Sequence, residues 1–316
     1  MSPPQPLAIV ADPLDKTAVA LLGEHARVVD ATAGKEALER EIATADALLV
    51  RSRTKVDEAL IARARDLRVI GRAGVGVDNI DVPAASRRGI PVVNAPAAAT
   101  TSVAELVVGL LVAVARDFGS QVPAAKKGDW KKAGNGLELA GRTVGFVGYG
   151  RIAREAGARL KAFGMKVQAY DPYLSSSPDG VPLLPLEELL RKSQVISLHT
   201  PLTPETRRLL SAENLAKLPK GAIVLNVARG GLVDEDALLA ALESGHLAGA
   251  ALDVFEEEPP RNAKLLAHPK LVVTPHIGAS THEAQARAGA VTVEQVLKVL
   301  RGETPDYCVN PEVRRT

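Results

Sequence analysis

The sequence predicts an α/β protein of two doubly wound parallel-sheet units, the second a Rossmann-like dinucleotide-binding domain. Three observations predict it. Short apolar runs alternate with helical patterns along most of the chain, the signature of a parallel sheet with crossover helices on both faces. Residues Thr143 to Asp171 read as strand, glycine turn, helix and strand, with the G-x-G-x-x-G/A pattern at Gly148-Tyr149-Gly150-Arg151-Ile152-Ala153. At 316 residues the chain suits two domains of ordinary size.

In the first hundred residues the strand candidates are Leu7–Val10, Arg27–Val29, Ala47–Val50, Val69–Arg72 and Val92–Asn94. Helical patterns lie at Lys16–Leu22, Lys35–Ile42, Val56–Ala64 and Pro83–Arg88. A long helical pattern runs from Thr100 to Phe118, with Thr100-Thr101-Ser102 as its cap and Glu105 three residues after Ser102, a capping-box arrangement. Its apolar run, Leu106 to Ala115, is shorter than the roughly 20 residues that span a bilayer, and reads as a buried or subunit-facing helix. A polar segment, Gly119 to Gly141, carries the only tryptophan, Trp130, and the basic residues Lys126, Lys127, Lys131 and Lys132.

The second α/β unit has strand candidates at Thr143–Val147, Lys166–Tyr170, Val195–Leu198, Ala222–Asn226, Gly249–Leu252 and Leu271–Thr274. Helices at Ile152–Phe163, Leu186–Lys192, Ala212–Leu218 and Glu235–Ser244 connect them, and a last helix runs from about Glu283 to Arg301.

Composition narrows the function classes. Hydrophobic residues make up 46% and aromatic ones 3%, so the cores are built from Ala, Val, Leu and Ile, as in buried parallel sheets. Lys plus Arg (39) nearly balance Asp plus Glu (37), and a net charge of +2 offers no field for nucleic acid. The single cysteine, Cys308, excludes an intrachain disulfide and a cysteine-cluster metal site, which fits a reducing cytoplasm. The N-terminus, M-S-P-P-Q-P-L, lacks the basic start and apolar core of a signal peptide. The expectation is a cytoplasmic protein that binds a small molecule and no metal, membrane or nucleic acid.

The glycine turn binds a dinucleotide for physical reasons. Gly148 permits the tight turn, Gly150 lets a pyrophosphate approach the backbone, and the small Ala153 allows helix and strand to pack closely. The following helix N-terminus offers free N–H groups and partial positive charge. Asp171 lies about 20 residues on, at the end of the next strand, where a carboxylate accepts ribose hydroxyls and repels a 2′-phosphate. NAD is therefore the expected cofactor, in preference to NADP.

Three later strand ends carry reactive side chains: Arg229 in N-V-A-R-G-G, the acidic run Glu256-Glu257-Glu258 before Pro259, and His276 in T-P-H-I-G. Ligands of such folds bind outside the carboxyl ends of strands, where these residues converge. Their types suit hydride transfer from an alcohol beside a carboxylate: an arginine to hold the carboxylate, a histidine to take the hydroxyl proton, and a carboxylate to fix the imidazole tautomer. In the first unit, the glycine turn G-R-A-G-V-G-V-D-N follows a strand and points to Gly74, Val75 and Gly76 as substrate contacts. Arg51-Ser52-Arg53 also ends a strand, and its two guanidinium groups suit a phosphate. Lys131 and Lys132 are further cations that could add charge there.

These motifs, with F-G-M-K-V-Q-A-Y-D-P-Y, H-T-P-L-T-P-E-T and A-L-D-V-F-E-E-E-P, occur in the order found in the D-2-hydroxyacid dehydrogenase family, which the chain resembles over most of its length. Within the family the likeness is greatest to the branch acting on D-3-phosphoglycerate. The resemblance implies a catalytic triad of Arg229, Glu258 and His276, Glu258 being the glutamate directly before the proline. It implies cofactor contacts from Arg151, Ile152, Asp171, Thr200, Val227, Ala228, Asp253, Gly278 and Ala279. It also implies a substrate-binding domain of residues 1–96 plus 280–316, an NAD-binding domain of 97–279, closure of the two over the substrate, and a dimer interface on Thr100–Gly141.

The expected reaction is oxidation of D-3-phosphoglycerate to 3-phosphohydroxypyruvate, the entry to serine synthesis. The alternatives are a glyoxylate or hydroxypyruvate reductase, and a dinucleotide-sensing binding protein such as the family's corepressors. Ala99 stands where the family usually has asparagine, near the expected substrate position. The chain ends at Thr316, just after V-N-P-E-V, so no C-terminal regulatory domain and no serine feedback through one are expected.

Overall fold

The computed structural model describes residues 5–130 and 134–313. The chain forms two units: Met1–Ala99 with Ala279–Thr316, and Thr100–Gly278.

The first unit holds β1 (Leu7–Val10), α1 (Lys16–Gly23), β2 (Arg27–Asp30), α2 (Lys35–Glu41), β3 (Ala47–Val50), α3 (Glu58–Arg63), β4 (Val69–Arg72), α4 (Val82–Arg87) and β5 (Val92–Asn94). Its strands are all parallel, in the order β2-β1-β3-β4-β5. Alternation along each strand feeds two cores, because successive side chains point to opposite faces. Ile9, Leu48, Val50 and Ile70 join Leu38, Ile61 and Ala84 from α2, α3 and α4 on one face. Val10, Leu49 and Val69 join Ala18 and Leu22 of α1 on the other. Asp15, Asp57 and Asp81 cap α1, α3 and α4 by accepting backbone N–H bonds, which sets where each helix starts.

The second unit opens with α5 (Thr100–Ala115) and α6 (Phe118–Lys126). Then follow β6 (Thr143–Val147), α7 (Arg151–Ala162), β7 (Lys166–Tyr170), α8 (Leu186–Lys192), β8 (Val195–Leu198), α9 (Ala212–Ala216), β9 (Ala222–Asn226), α10 (Glu235–Glu243), β10 (Leu247–Leu252), α11 (Ala263–Leu266) and β11 (Leu271–Val273). Six parallel strands run in the order β11-β10-β9-β8-β6-β7, a doubly wound sheet with its order reversing between β6 and β8. Helix α5 buries Val107, Leu110, Leu111 and Ala115. Ile196, Leu198, Val224 and Leu252 of the sheet pack with Leu189, Leu215 and Leu238 from α8, α9 and α10.

The chain then returns to the first unit as α12 (His282–Leu300), whose Val293, Val296 and Leu297 complete the core on the α1 face.

The stretch after Thr100 departs from the sequence reading in two ways. The long helix ends at Ala115, and Asp117 in a left-handed conformation (φ 55°) turns the chain into a separate helix, α6, most of which lies in the segment read as polar. Gly119 and Pro123 read as breakers, and α6 buries no residue, so no apolar periodicity marks it. Ser102 does not cap α5. It lies inside the helix, buried, and its hydroxyl donates to the Gly278 carbonyl at 2.6 Å. Helix α11 is also absent from the sequence reading: four residues are too short for a periodic signal.

Candidate active site

The dinucleotide motif folds as a strand, a tight turn and a helix. Gly148 follows β6 with φ 84°, and a Cβ there would meet the His199 carbonyl oxygen at 2.7 Å and the Thr200 nitrogen at 3.0 Å. Only glycine suits both that dihedral and that approach to the end of β8. Gly150 is the residue before α7 and has nothing within 4 Å of an added Cβ, so open space lies over the turn beside Arg151 and Ile152. That open cradle, facing a helix N-terminus, fits a pyrophosphate.

Asp171 follows β7. Its carboxylate accepts the Tyr149 N–H at 2.9 Å and the Tyr173 N–H at 3.0 Å, so it is held beside the glycine turn. Tyr149 is a residue that sequence reasoning passed over. It is buried, and its hydroxyl donates to the Asp179 carboxylate at 2.7 Å; burial, together with that bond, raises the phenol's pKa. One residue thus fastens the Asp171 carboxylate by its backbone and the following loop by its phenol. A buried aromatic in the middle of a glycine turn was the available signal.

At the end of β9, Val227 is buried, Ala228 is half-buried, and Asn226 anchors the turn by donating to the Arg229 carbonyl at 2.8 Å. The Arg229 guanidinium donates to the Ala228 carbonyl at 2.6 Å. Gly230 then runs against the segment that follows β10: an added Cβ would lie 1.8 Å from the Phe255 carbonyl carbon. This contact sets the arginine turn directly beside the loop that carries the acidic run.

The three glutamates of that run separate. Glu256 pairs with Arg207 at 3.0 Å and Arg208 at 3.7 Å, and Glu257 pairs with Arg261 at 2.6 Å. Glu258, preceding a cis Pro259, receives the Phe255 N–H on one oxygen at 3.2 Å and faces His276 Nδ1 with the other at 2.9 Å. A carboxylate only accepts, so Nδ1 carries the hydrogen and Nε2 is left with its lone pair.

His276 itself sits at φ 52°, a conformation uncommon outside glycine. Asp253, 1% exposed, holds it there. Its carboxylate accepts from the Thr274 hydroxyl (2.6 Å), the Ile277 N–H (2.8 Å) and the Gly278 N–H (2.9 Å), and its carbonyl accepts the His276 N–H (2.9 Å). Asp253 therefore serves as an anchor of the histidine loop, a role its motif position alone did not reveal. Ala279, the next residue on, is exposed.

His199 is a second histidine near the turn. Its ring lies 5.3 Å from that of Phe146 and bonds the Ser197 hydroxyl at 2.8 Å, and burial pushes its pKa down to about 3. It is neutral at ordinary pH.

In the first unit, Asp12, also 1% exposed, accepts the N–H groups of Arg51, Arg53 and Thr54 and the Thr54 hydroxyl. The two arginines diverge from that anchor. Arg51 places Nη1 3.5 Å from the Pro13 carbonyl, whereas Arg53 donates from Nη2 to the Thr32 carbonyl at 2.9 Å. Gly74 has φ 155°, Val75 is partly exposed with its carbonyl accepting from Asn94, and Gly76 follows in the same turn. Ala99 is buried. Lys131 and Lys132 lie outside the described residues. Among the described residues no group of acidic, histidine or cysteine side chains could hold a metal ion, and no helix is long and apolar enough to cross a membrane.

Residues 108–278 match the family described as D-isomer specific 2-hydroxyacid dehydrogenase, NAD binding domain. A D-3-phosphoglycerate dehydrogenase of Methanocaldococcus jannaschii is 49% identical over 308 residues, covering 96% of this chain and 59% of that protein. The chain thus spans about three-fifths of that relative's length. A hydroxypyruvate reductase of Thermotoga maritima is 46% identical over 297 residues, covering 92% of this chain and 97% of that protein. The crystal structure of the TT0316 protein from Thermus thermophilus superposes with a TM-score of 0.87 at 41% identity, covering 96% of this chain and 99% of that one. With half the chain matched by the family and a full-length relative at this identity, the protein belongs to the D-isomer specific 2-hydroxyacid dehydrogenase family, and its second unit is that family's NAD-binding domain.

Proposed function

We propose that the chain catalyses NAD-dependent oxidation of D-3-phosphoglycerate to 3-phosphohydroxypyruvate, reversibly. The observation that carries the chemistry is the His276 Nδ1–Glu258 Oε2 hydrogen bond of 2.9 Å. It leaves Nε2 as a base for the C2 hydroxyl proton, and the carboxylate steadies the imidazolium that results. Arg229 holds the substrate carboxylate and orients C2. Gly148, Gly150, Arg151, Ile152 and Asp171 hold the dinucleotide, with Thr200, Val227, Ala228, Gly278 and Ala279 lining the strand ends where the nicotinamide belongs. NAD bound there supplies the hydride acceptor. Asp171, pinned by Tyr149, excludes a 2′-phosphate by charge.

The phosphate is assigned to Arg51 and to the backbone turn Gly74-Val75-Gly76. Arg53 adds field more than contact, since its guanidinium is held by Thr32 and lies 4.0 Å from the Asp12 carboxylate. The second reading is a hydroxypyruvate reductase. It is favoured by the Thermotoga maritima relative, of which the chain covers 97%, and by Ala99 in place of a polar residue. Oxidation of NADH with 3-phosphohydroxypyruvate, hydroxypyruvate, glyoxylate and pyruvate, compared side by side, decides between them. A kcat/KM at least tenfold higher for the phosphorylated acid is expected; a lead for hydroxypyruvate or glyoxylate moves the assignment to the second reading.

The chain is further proposed to act as a cytoplasmic homodimer through the surface at the start of its second unit. Phe118 and Val122 of α6 are 47% and 45% exposed and Trp130 is 86% exposed, apolar area that a partner subunit would cover.

A further inference from the structure

The first unit contains a cavity of about 440 Å³ that the proposed reaction does not use. It lies over the carboxyl ends of β1, β2 and β3, walled by α2 and α3. In the order β2-β1-β3-β4-β5 the chain reverses direction across the sheet between β1 and β3, and such a reversal opens a crevice where open α/β sheets bind ligands.

The lining is divided. Ala11, Ala31, Leu38 and Leu60 give it an apolar floor, while Lys35, Arg53, Lys55 and Arg63 bring four cations to its rim against only Glu39 and Asp57. Asp57 is engaged in capping α3. Elsewhere on this protein cations are commonly paired, as in Arg27–Glu41, Arg87–Glu58 and Arg191–Glu187. Around the cavity, Lys35, Lys55 and Arg63 have no carboxylate within ion-pair distance among the described residues, and Arg53 has only Asp12 at 4.0 Å. Two of the guanidinium groups are nonetheless fixed in place. Arg53 donates to the Thr32 carbonyl at 2.9 Å and Arg63 to the Glu39 carbonyl at 3.4 Å, which leaves their other N–H groups for a ligand. The wall beneath is rigid, because Asp12 ties Arg53 and Thr54 to the end of β1.

We propose that this cavity is a second ligand site, for an organic phosphomonoester with an apolar or aromatic body. The basic rim takes the phosphate and the apolar floor takes the body. The volume suits an organic molecule, being within the roughly 300–1,000 Å³ of small-ligand pockets and far beyond one inorganic ion. The unpaired cations suit a doubly charged group. The site stands apart from the substrate phosphate assigned to Arg51, which does not line the cavity.

The test uses the full chain and 1-naphthyl phosphate, whose fluorescence reports binding, with NAD and 3-phosphohydroxypyruvate present as a saturating, non-reacting pair that fills the active site. Saturable binding of about one equivalent that persists under these conditions is expected, with 1-naphthol binding far more weakly. Lys35→Glu combined with Arg63→Glu should weaken it tenfold or more while the melting temperature and the KM for 3-phosphohydroxypyruvate stay within twofold; both side chains are exposed, so the fold tolerates the change. Absence of saturable binding overturns the proposal. So does displacement by the active-site pair, which would make the probe a substrate analogue, and so does equal affinity in the double variant.

Discussion

His276 and Glu258 are joined by a 2.9 Å hydrogen bond although they end separate segments of the sheet, and the second Glu258 oxygen is fixed by the Phe255 N–H. The carboxylate can therefore neither rotate away nor present its other oxygen without breaking a bond. Glu258→Gln offers an amide that can still accept from Nδ1 but cannot stabilise an imidazolium by charge. We expect kcat to fall by about 10²–10³-fold. Steady-state rates with NADH and the preferred keto acid check this; a loss under threefold removes Glu258 from the proton relay.

Asp253 is predicted to matter as an anchor. Replacing it by Ala leaves the Ile277 and Gly278 N–H groups and the Thr274 hydroxyl without their acceptor, at a cost of about 2–4 kcal/mol. His276 then loses the support for its φ of 52°, and kcat should fall more than tenfold. Denaturant unfolding and kinetics on the same variant test both halves.

Gly230→Ala should be among the most damaging small changes in the chain. Its Cβ would fall 1.8 Å from the Phe255 carbonyl carbon, so the Arg229 turn and the Glu258 loop must part. About 2–3 kcal/mol of stability and nearly all activity should go together. Wild-type turnover in this variant would show that the two turns need not touch.

Cofactor choice is predicted to rest on Asp171 and on what holds it. Asp171→Ala should raise the KM for NAD by about tenfold, equivalent to about 1.4 kcal/mol, and lower that for NADP. Tyr149→Phe removes only the phenol bond to Asp179, and a smaller rise in the KM for NAD with unchanged kcat is expected. Initial rates with both cofactors measure the split.

Acid stability should depend on His199. Its pKa in the folded protein, about 3, lies below the ordinary 6.5, so the unfolded chain binds the extra proton first. The stability it confers is complete above about pH 6.5 and is lost progressively as pH falls toward 3. Between pH 6.5 and 4, His199→Gln should lose roughly 2 kcal/mol less than the wild type. Urea midpoints at several pH values measure the difference.

Much of this protein was determined by local sequence. Strands such as Ala47–Val50 and Ala222–Asn226 are buried on both faces, so each reads as an unbroken apolar run between turn residues and announces itself. The turn at Gly148 was legible for a related reason: a tight backbone approach to the end of the neighbouring strand restricts the position to glycine. Only the tertiary structure decided what depends on contacts between distant segments. Glu256, Glu257 and Glu258 are chemically identical, and although the family resemblance singled out Glu258, it is Arg207, Arg208, Arg261 and His276, folded against them, that give each a different partner. Arg51 and Arg53 differ in the same way, parted by the bonds Asp12 makes to their backbone and by the carbonyls of Pro13 and Thr32. Asp253, expected as a cofactor contact, also supports the histidine loop, a role set by the chain that folds around its carboxylate. Residue type records what a position can do; which of its possible partners it meets is fixed by packing, and packing is a property of the whole fold.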